Sequence, residues 1–163
     1  RIPGVRIELL TPDFRRAQTV ALATLARHAP LVWGHNVETV PRLYRTVRPG
    51  SEYQESLGLL REIAATAGMI AKSSIMLGLG ETEAEALAVL DDLAAAGVAR
   101  LTIGQYLRPT PRQLPVVEYL PPRVFARLAR EARARGIAWV ISAPFARSSY
   151  RAKLEETVEE EGI

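Results

Sequence analysis

Three times in succession this chain runs from a helical stretch through one glycine into a short apolar run, and that order limits its fold more than any other feature. Ser51 and Gln54 stand at capping-box spacing, Leu57, Leu60 and Ala64 follow at helical intervals, and Gly68 precedes the apolar run from Met69 to Leu79. Thr82 and Glu85 repeat the box. Leu87, Leu90 and Ala94 lie behind them, Gly97 supplies the stop, and Val98 to Leu107 reads as the next strand. Pro121-Pro122 opens a third helix carrying Phe125, Leu128, Ala129 and Ala132, which Gly136 ends before the strand Ile137 to Ser142. Upstream, Val5 to Leu10 reads as a strand. Pro12-Asp13 then opens a helix to about His28 with Val20, Leu22 and Leu25 on its buried side, and Leu31-Val32-Trp33 is a short strand ending at Gly34.

Short apolar strands alternating with amphipathic helices predict an α/β fold of right-handed βα units on a parallel sheet. About five units are visible. That is too few for a closed eight-stranded barrel, which leaves an open doubly wound sheet or the larger part of a partial βα barrel. A length of 163 residues suits one core. The expected division is a βα body over 1–146 and a C-terminal segment over 147–163, ending in an acidic tail with Glu155, Glu156, Glu159, Glu160 and Glu161. The stretch from Pro109 to Pro122 is too proline-rich for a helix and reads as an ordered functional loop.

The 21 Lys+Arg and 18 Asp+Glu leave a formal charge of only +3, with the basic residues dispersed, so nucleic acid is not an expected partner. No apolar run approaches the roughly 20 residues that cross a bilayer. A soluble, cytoplasmic protein without a membrane partner is expected. The absence of cysteine excludes disulfides and thiolate metal sites within these residues. Opening at Arg1, almost directly on a strand, suggests an N-terminal truncation.

In parallel βα architectures ligands bind beyond the C-terminal strand ends, so polar residues just after apolar runs are the candidates. The second run ends in His35, Asn36 and Glu38. His35 and Asn36 can donate to a carboxylate and Glu38 can take a ribose diol or an ammonium; equally, His35 is an ordinary turn residue and Glu38 opens the segment before Pro41. The third run passes Lys72 to Gly78-Leu79-Gly80-Glu81. Small residues there admit a ligand to the backbone, but Glu81 at a helix start repels a pyrophosphate and suits a hydroxyl, an amino group or a cation. The same residues also make a plain tight turn with a favourable helix-start glutamate. Lys72 should face away from Ala71 and Ser73 and, if buried, needs a carboxylate such as Glu81 or Glu38. The fourth run passes Gln105 to Arg108. After the fifth come Arg147, Ser148 and Ser149, which read either as a C-terminal helix start with a serine cap or as an anion or metal contact.

Five blocks in order resemble the lipoyl synthase family of radical S-adenosylmethionine enzymes: VRIELLTPDF (5–14), HNVETVPRLYRTVRPGSEYQESLGLLR (35–61), KSSIMLGLGET (72–82), LTIGQYLRPTPRQLPVVEYLPP (101–122) and RSSYRA (147–152). The resemblance spans nearly the whole chain and implies a partial (β/α) barrel of radical SAM type. It implies an enzyme that inserts two sulfur atoms into octanoyl groups on a carrier protein or domain. The cofactors would be S-adenosylmethionine and two [4Fe–4S] clusters, one of which is consumed as sulfur donor. The partners would be an octanoylated lipoyl carrier, an electron donor such as ferredoxin or flavodoxin, and an iron–sulfur cluster carrier. The family's two cysteine motifs lie upstream of the blocks matched here, so the chain alone is expected to be inactive.

The resemblance further implies that Ser74 to Glu81, with Gly78 and Gly80, help seat the adenosyl group. His35, Asn36 and Glu38 would hold its methionine or ribose part, with Lys72 beside them. Gln105 would border adenine and Arg108 contact substrate or cofactor. Ser148, with Ser149 as the alternative, would ligate the sacrificial cluster, and Arg147 would orient or protonate that ligand. A serine oxygen binds iron more weakly than a thiolate, as suits a cluster that comes apart. Ser74 stands where the family usually has glycine, Gly34 where asparagine commonly precedes the histidine, and Ala143 where glycine is usual. Two other readings remain: a non-catalytic adenosyl- or carrier-binding subunit, and one half of a split enzyme completed by a cysteine-bearing partner.

Overall fold

The glycine punctuation is realised as five strands with helices between them in a computed structural model, which describes residues 7–27 and 32–149. The strands are β1 (Glu8–Leu10), β2 (Val32–Gly34), β3 (Ile70–Leu77), β4 (Arg100–Gln105) and β5 (Trp139–Ser142). The helices are α1 (Gln18–Ala26), α2 (Tyr44–Val47), α3 (Tyr53–Ala65), α4 (Glu83–Ala95) and α5 (Pro122–Ala134), with single 3-10 turns at Arg15–Ala17 and Pro41–Leu43. Gly68, Gly97 and Gly136 all have φ near +80 or +90°, at 77, 77 and 90°. That is the left-handed geometry which lets a helix end turn into the next strand.

The sheet order is β1-β2-β3-β4-β5 and every pairing is parallel. A doubly wound sheet reverses its order partway, and this one does not, so right-handed crossovers place every connecting helix on the same face. The architecture is therefore the partial (β/α) type. Side-chain alternation in β3 sends Ala71, Ser73, Ile75 and Leu77 to the helix side and Lys72, Ser74 and Met76 to the other. Ile75 and Leu77 join Leu57 and Leu60 of α3, Val89 and Leu90 of α4, and Phe125 and Leu128 of α5 in the main core. Trp33 and Ala71 join Leu59 and Ile63 in a smaller cluster against which Leu22 and Leu25 of α1 pack. Glu8, Lys72, Ser74, Arg100 and Thr102 lie on the opposite, polar face.

Three local expectations fail, each for a physical reason. Pro12-Asp13 opens no helix: Asp13 is drawn to Arg48, Ser51 and Ser56, and α1 begins only at Gln18. The Ser51–Gln54 box does not form: Glu52 precedes α3 without a side-chain cap, because Ser51 Oγ donates to Asp13 Oδ2 (2.7 Å) instead. A missing cap costs roughly 1 kcal/mol, whereas each buried leucine or isoleucine of α3 contributes about 1.5–3 kcal/mol, so the helix forms without it. Val20 is 70% exposed, because α1 faces the small cluster with Leu22 and Leu25 only. The box at Thr82 and Glu85 forms in full. Among the described residues no helix is long and apolar enough to cross a membrane. The acidic tail, and any helix begun at Ser148 or Ser149, lie outside the described residues.

Candidate functional site

Beyond Gly34 the β2 segment keeps following β3, but with one residue too many. Gly34 pairs with Lys72 and Glu38 with Ile75, so four steps on one side match three on the other. The extra residue is a bulge, which re-aims side chains at a sheet edge. His35 N bonds Lys72 O (2.9 Å), Glu38 N bonds Ser74 O (3.0 Å) and Met76 N bonds Glu38 O (2.9 Å), leaving Asn36 and Val37 outside the ladder. Glu38 takes up the distortion with φ 65°, an uncommon conformation for a residue with a side chain.

The bulge borders a cleft of about 290 Å³ lined by Leu10, Thr11, Pro12, His35, Asn36, Glu38 and Arg48. Asn36 Nδ2 donates to Glu38 Oε1 (3.0 Å), and Asn36 Oδ1 is buried without a partner. Burial pushes the Glu38 carboxyl above its ordinary value, with Asn36 and Arg48 opposing. His35 is buried. Its Nδ1 lies 2.9 Å from Thr11 O, and since a carbonyl only accepts, the ring proton belongs there. Nε2 lies 3.0 Å from Asp13 Oδ1 without hydrogen-bond alignment. Burial pulls the imidazole below its ordinary value, against the Thr11 carbonyl and the Asp13 carboxylate. Behind the cleft, Asp13 accepts from Arg48 Nη2 (2.9 Å), Ser51 Oγ (2.7 Å) and Ser56 Oγ (2.8 Å). Burial works to raise this carboxyl, but the two serine bonds and the arginine charge outweigh it and hold it below the usual range.

The remaining candidates fall into three other places. Lys72 is 2% exposed, and its Nζ meets Glu8 Oε1 at 2.6 Å over the Trp139 ring. Neither Glu81 nor Glu38 is its partner, because both lie towards the C-terminal end of β3, whereas Lys72 is near its start.

Gly78, Gly80, Glu81, Gln105 and Arg108 assemble around the 109–121 loop. Glu81 turns back to accept from Gly78 N (2.6 Å) and Leu79 N (3.0 Å), so its carboxylate braces its own turn. The buried Gln105 amide donates to Glu118 O (3.0 Å) and accepts from Leu120 N (3.0 Å), fastening the loop over Gly78. Arg108 is exposed and donates to Gln113 O (2.9 Å) and to Pro111 O. It shapes the loop rather than reaching towards the cleft.

Arg147 lies on the helix-free face. Its Nη1 donates to Ala146 O (2.6 Å) and lies 3.0 Å from where a Cβ of Gly104 would stand. Ser148 is half-buried and Ser149 exposed in the turn that follows.

Asp13, Arg42, Arg48 and Thr102 were not singled out by sequence. Thr102 pairs in register with Ser74, and its hydroxyl is buried on the helix-free face without a partner. The signal for the first three lay only in charged residues within turns, whose partners the chain order does not reveal. Among the described residues no three His, Cys, Asp or Glu gather to hold a metal ion.

No family model matches the chain. Curated relatives do. It is 49% identical to a lipoyl synthase of Methylococcus capsulatus over 97% of this chain and 49% of the relative. It is 47% identical to one of Pasteurella multocida over 94% and 48%, and 50% identical to one of Acidothermus cellulolyticus over 93% and 46%. The chain thus spans about half the length of the curated relatives it matches.

Proposed function

We propose, from the premise that this chain is homologous to lipoyl synthases over half their length, that it forms the cofactor- and substrate-facing part of such an enzyme. The reaction would be the radical S-adenosylmethionine-dependent insertion of two sulfur atoms into octanoyl groups on a carrier protein or domain. The single observation that carries this reading is the identity of 47–50% over at least 93% of the chain. The octanoylated carrier, an electron donor such as ferredoxin or flavodoxin, and a cluster carrier are the partners it calls for, and a cytoplasmic setting accords with it.

The cleft fits S-adenosylmethionine chemically. Asn36 Oδ1, a buried acceptor without a partner, and the Glu38 carboxylate suit the hydroxyls and ammonium of that molecule. S-Adenosylmethionine, when bound, supplies the group from which a carbon radical is made. The chain's own residues would orient it: Asn36 and Glu38 by accepting hydrogen bonds, and Ser74 and Thr102 by presenting hydroxyls on the same sheet face. Lys72, already paired with Glu8, would form the floor below them. Gly78, Gly80, Glu81, Gln105 and Arg108 would shape the turn and loop at the rim.

The residues do not fit an iron–sulfur cluster by themselves. With no cysteine, thiolate ligands would have to come from outside these 163 residues. Ser148, or Ser149, would offer one oxygen ligand, with Arg147 beside it. The same absence of thiolates favours a second reading, an adenosyl- or carrier-binding subunit, whether non-catalytic or half of a split enzyme.

The test is to purify the endogenous polypeptide without air and measure its intact mass, its iron and its conversion of an octanoylated carrier. A larger iron-bearing protein that forms lipoyl groups is expected. An iron-free product near 17.9 kDa without conversion would overturn the synthase reading and favour the second one.

A further inference from the structure

The segment that lines the cleft is held only partly by the sheet. The bulge leaves Asn36 and Val37 outside the ladder, and Glu38 sits at φ 65°, which surrounding contacts must over-determine if it is to persist. Those contacts converge on one guanidinium. Arg48 Nη1 donates to the backbone carbonyl of Asn36 (3.0 Å), to Tyr44 Oη (2.7 Å) and to Ser56 Oγ (3.1 Å). Its Nη2 donates to Asp13 Oδ2 (2.9 Å), and its carbon stands 5.3 Å from the centre of the Tyr44 ring.

A planar fork anchored through both terminal nitrogens has little freedom left to rotate. Asp13 is itself immobilised by Ser51 and Ser56, so position passes from α3 through Asp13 and Arg48 to the Asn36 carbonyl. From there the Asn36 side-chain amide reaches Glu38, while its oxygen stays without a partner at the cleft.

We propose that Arg48, anchored by Asp13, is a positioning residue that sets the geometry of Asn36 and Glu38 for their ligand. The proposal rests on reading the cleft as the S-adenosylmethionine site. Lysine in place of Arg48 keeps the charge but cannot bond the Asn36 carbonyl and Asp13 together. Asparagine in place of Asp13 keeps the shape and removes the charge partner.

The experiment uses the complete endogenous polypeptide, with S-adenosylmethionine as the probe for calorimetric titration and the Asn36 side-chain amide resonances as the spectroscopic readout. Arg48→Lys should melt close to the parent, shift or broaden the Asn36 amide signals, and weaken S-adenosylmethionine binding about tenfold. Asp13→Asn should do the same to a smaller degree. A folded Arg48→Lys chain with unchanged Asn36 signals, or with unchanged affinity, overturns the proposal. If Arg48→Lys fails to fold, Asp13→Asn carries both readouts; failure of both to fold overturns positioning in favour of a purely structural role. Should the complete parent protein bind no S-adenosylmethionine while the Asn36 signals still follow Arg48, the cofactor reading fails and the positioning stands. Equal binding by parent and variants would instead uphold the cofactor reading and overturn the positioning.

Discussion

The rim at β1 and β2 and the rim at β3 to β5 are built by opposite means. The first is a side-chain construction: Asp13 gathers Arg48, Ser51 and Ser56 of the α2–α3 segment through charge and hydroxyl contacts, with His35 packed beside it. The second rests chiefly on backbone bonds, which the Glu81 carboxylate and the Gln105 amide brace. Gly78 O accepts from Val117 N (2.9 Å), Gln105 N bonds Pro144 O (3.1 Å), and Tyr106 N bonds Leu77 O (2.7 Å). A side-chain rim responds to charge and pH, whereas a backbone rim depends on the absence of side chains where strands and loops meet.

That contrast breaks first at Gly78. Its φ is 96°, and a Cβ there would overlap both the Gln105 amide and the Glu118 carbonyl. Gly78→Ala therefore combines backbone strain with a collision against main chain, and should cost at least about 3 kcal/mol in thermal or denaturant unfolding. A loss below about 1 kcal/mol would mean that the 109–121 loop moves aside and the rim is not rigidly built.

Asp13→Ala is the matching break on the other side. It leaves Arg48 and two serines without their shared acceptor, a loss of about 2 kcal/mol. The pH dependence follows from the same contacts. Because the folded carboxyl lies below its ordinary value, its stabilisation is complete above the unfolded value, near pH ~4, and is lost as pH falls through the folded one. Acid titration of the parent should therefore show a stability decrease below about pH 4 that is reduced in Asp13→Ala. An identical acid slope in both proteins would remove Asp13 from the account.

Thr82→Ala probes the backbone side more gently. The hydroxyl accepts from Glu85 N at 3.2 Å, and its loss should lower stability by about 1 kcal/mol. Since α4 begins directly after the Gly78–Glu81 turn, amide exchange should quicken at Gly78 and Leu79 as well as in the first turn of α4. Quickening confined to the helix would show that the turn is braced by Glu81 alone.

How far the sequence could be read follows the same division. The Thr82–Glu85 box and the left-handed glycines at 68, 97 and 136 are decided within a few residues, and they were legible. The Ser51–Gln54 box obeyed the same local rule and failed, because a carboxylate 38 positions away outcompeted the backbone amide for Ser51. Lys72 was legible as a buried cation in need of an acid, but Glu8 became that acid only through the β1-β2-β3 register. Gln105 stood at the expected strand end, yet alternation turned it towards the helix side and the loop. The bulge that aims Asn36 and Glu38 had no sequence mark, since neither glycine nor proline occupies it.

The smallest expected effect gives the sharpest comparison, because Arg42, like Arg48, joins a carboxylate to a backbone carbonyl, but in a different setting. Arg42 Nε and Nη2 grip Glu85 at 2.7 and 3.0 Å, and Nη2 also donates to Gly80 O (2.8 Å). The bonds from Arg42 and Thr82 lower the Glu85 carboxyl to about 2. The pair is nonetheless exposed, with side-chain accessibility of 54% for Arg42 against 16% for Arg48. Water and salt screen the exposed fork, and the entropy of holding two long side chains offsets most of what remains. Arg42→Ala should therefore change the melting temperature less than any of the three preceding substitutions, and the change should vanish in molar salt. Arg48→Ala should keep most of its effect there. Equal losses with equal salt dependence would show that fork geometry, and not burial, sets the strength of both arginines, and the contrast between a buried side-chain rim and an exposed brace would fall with it.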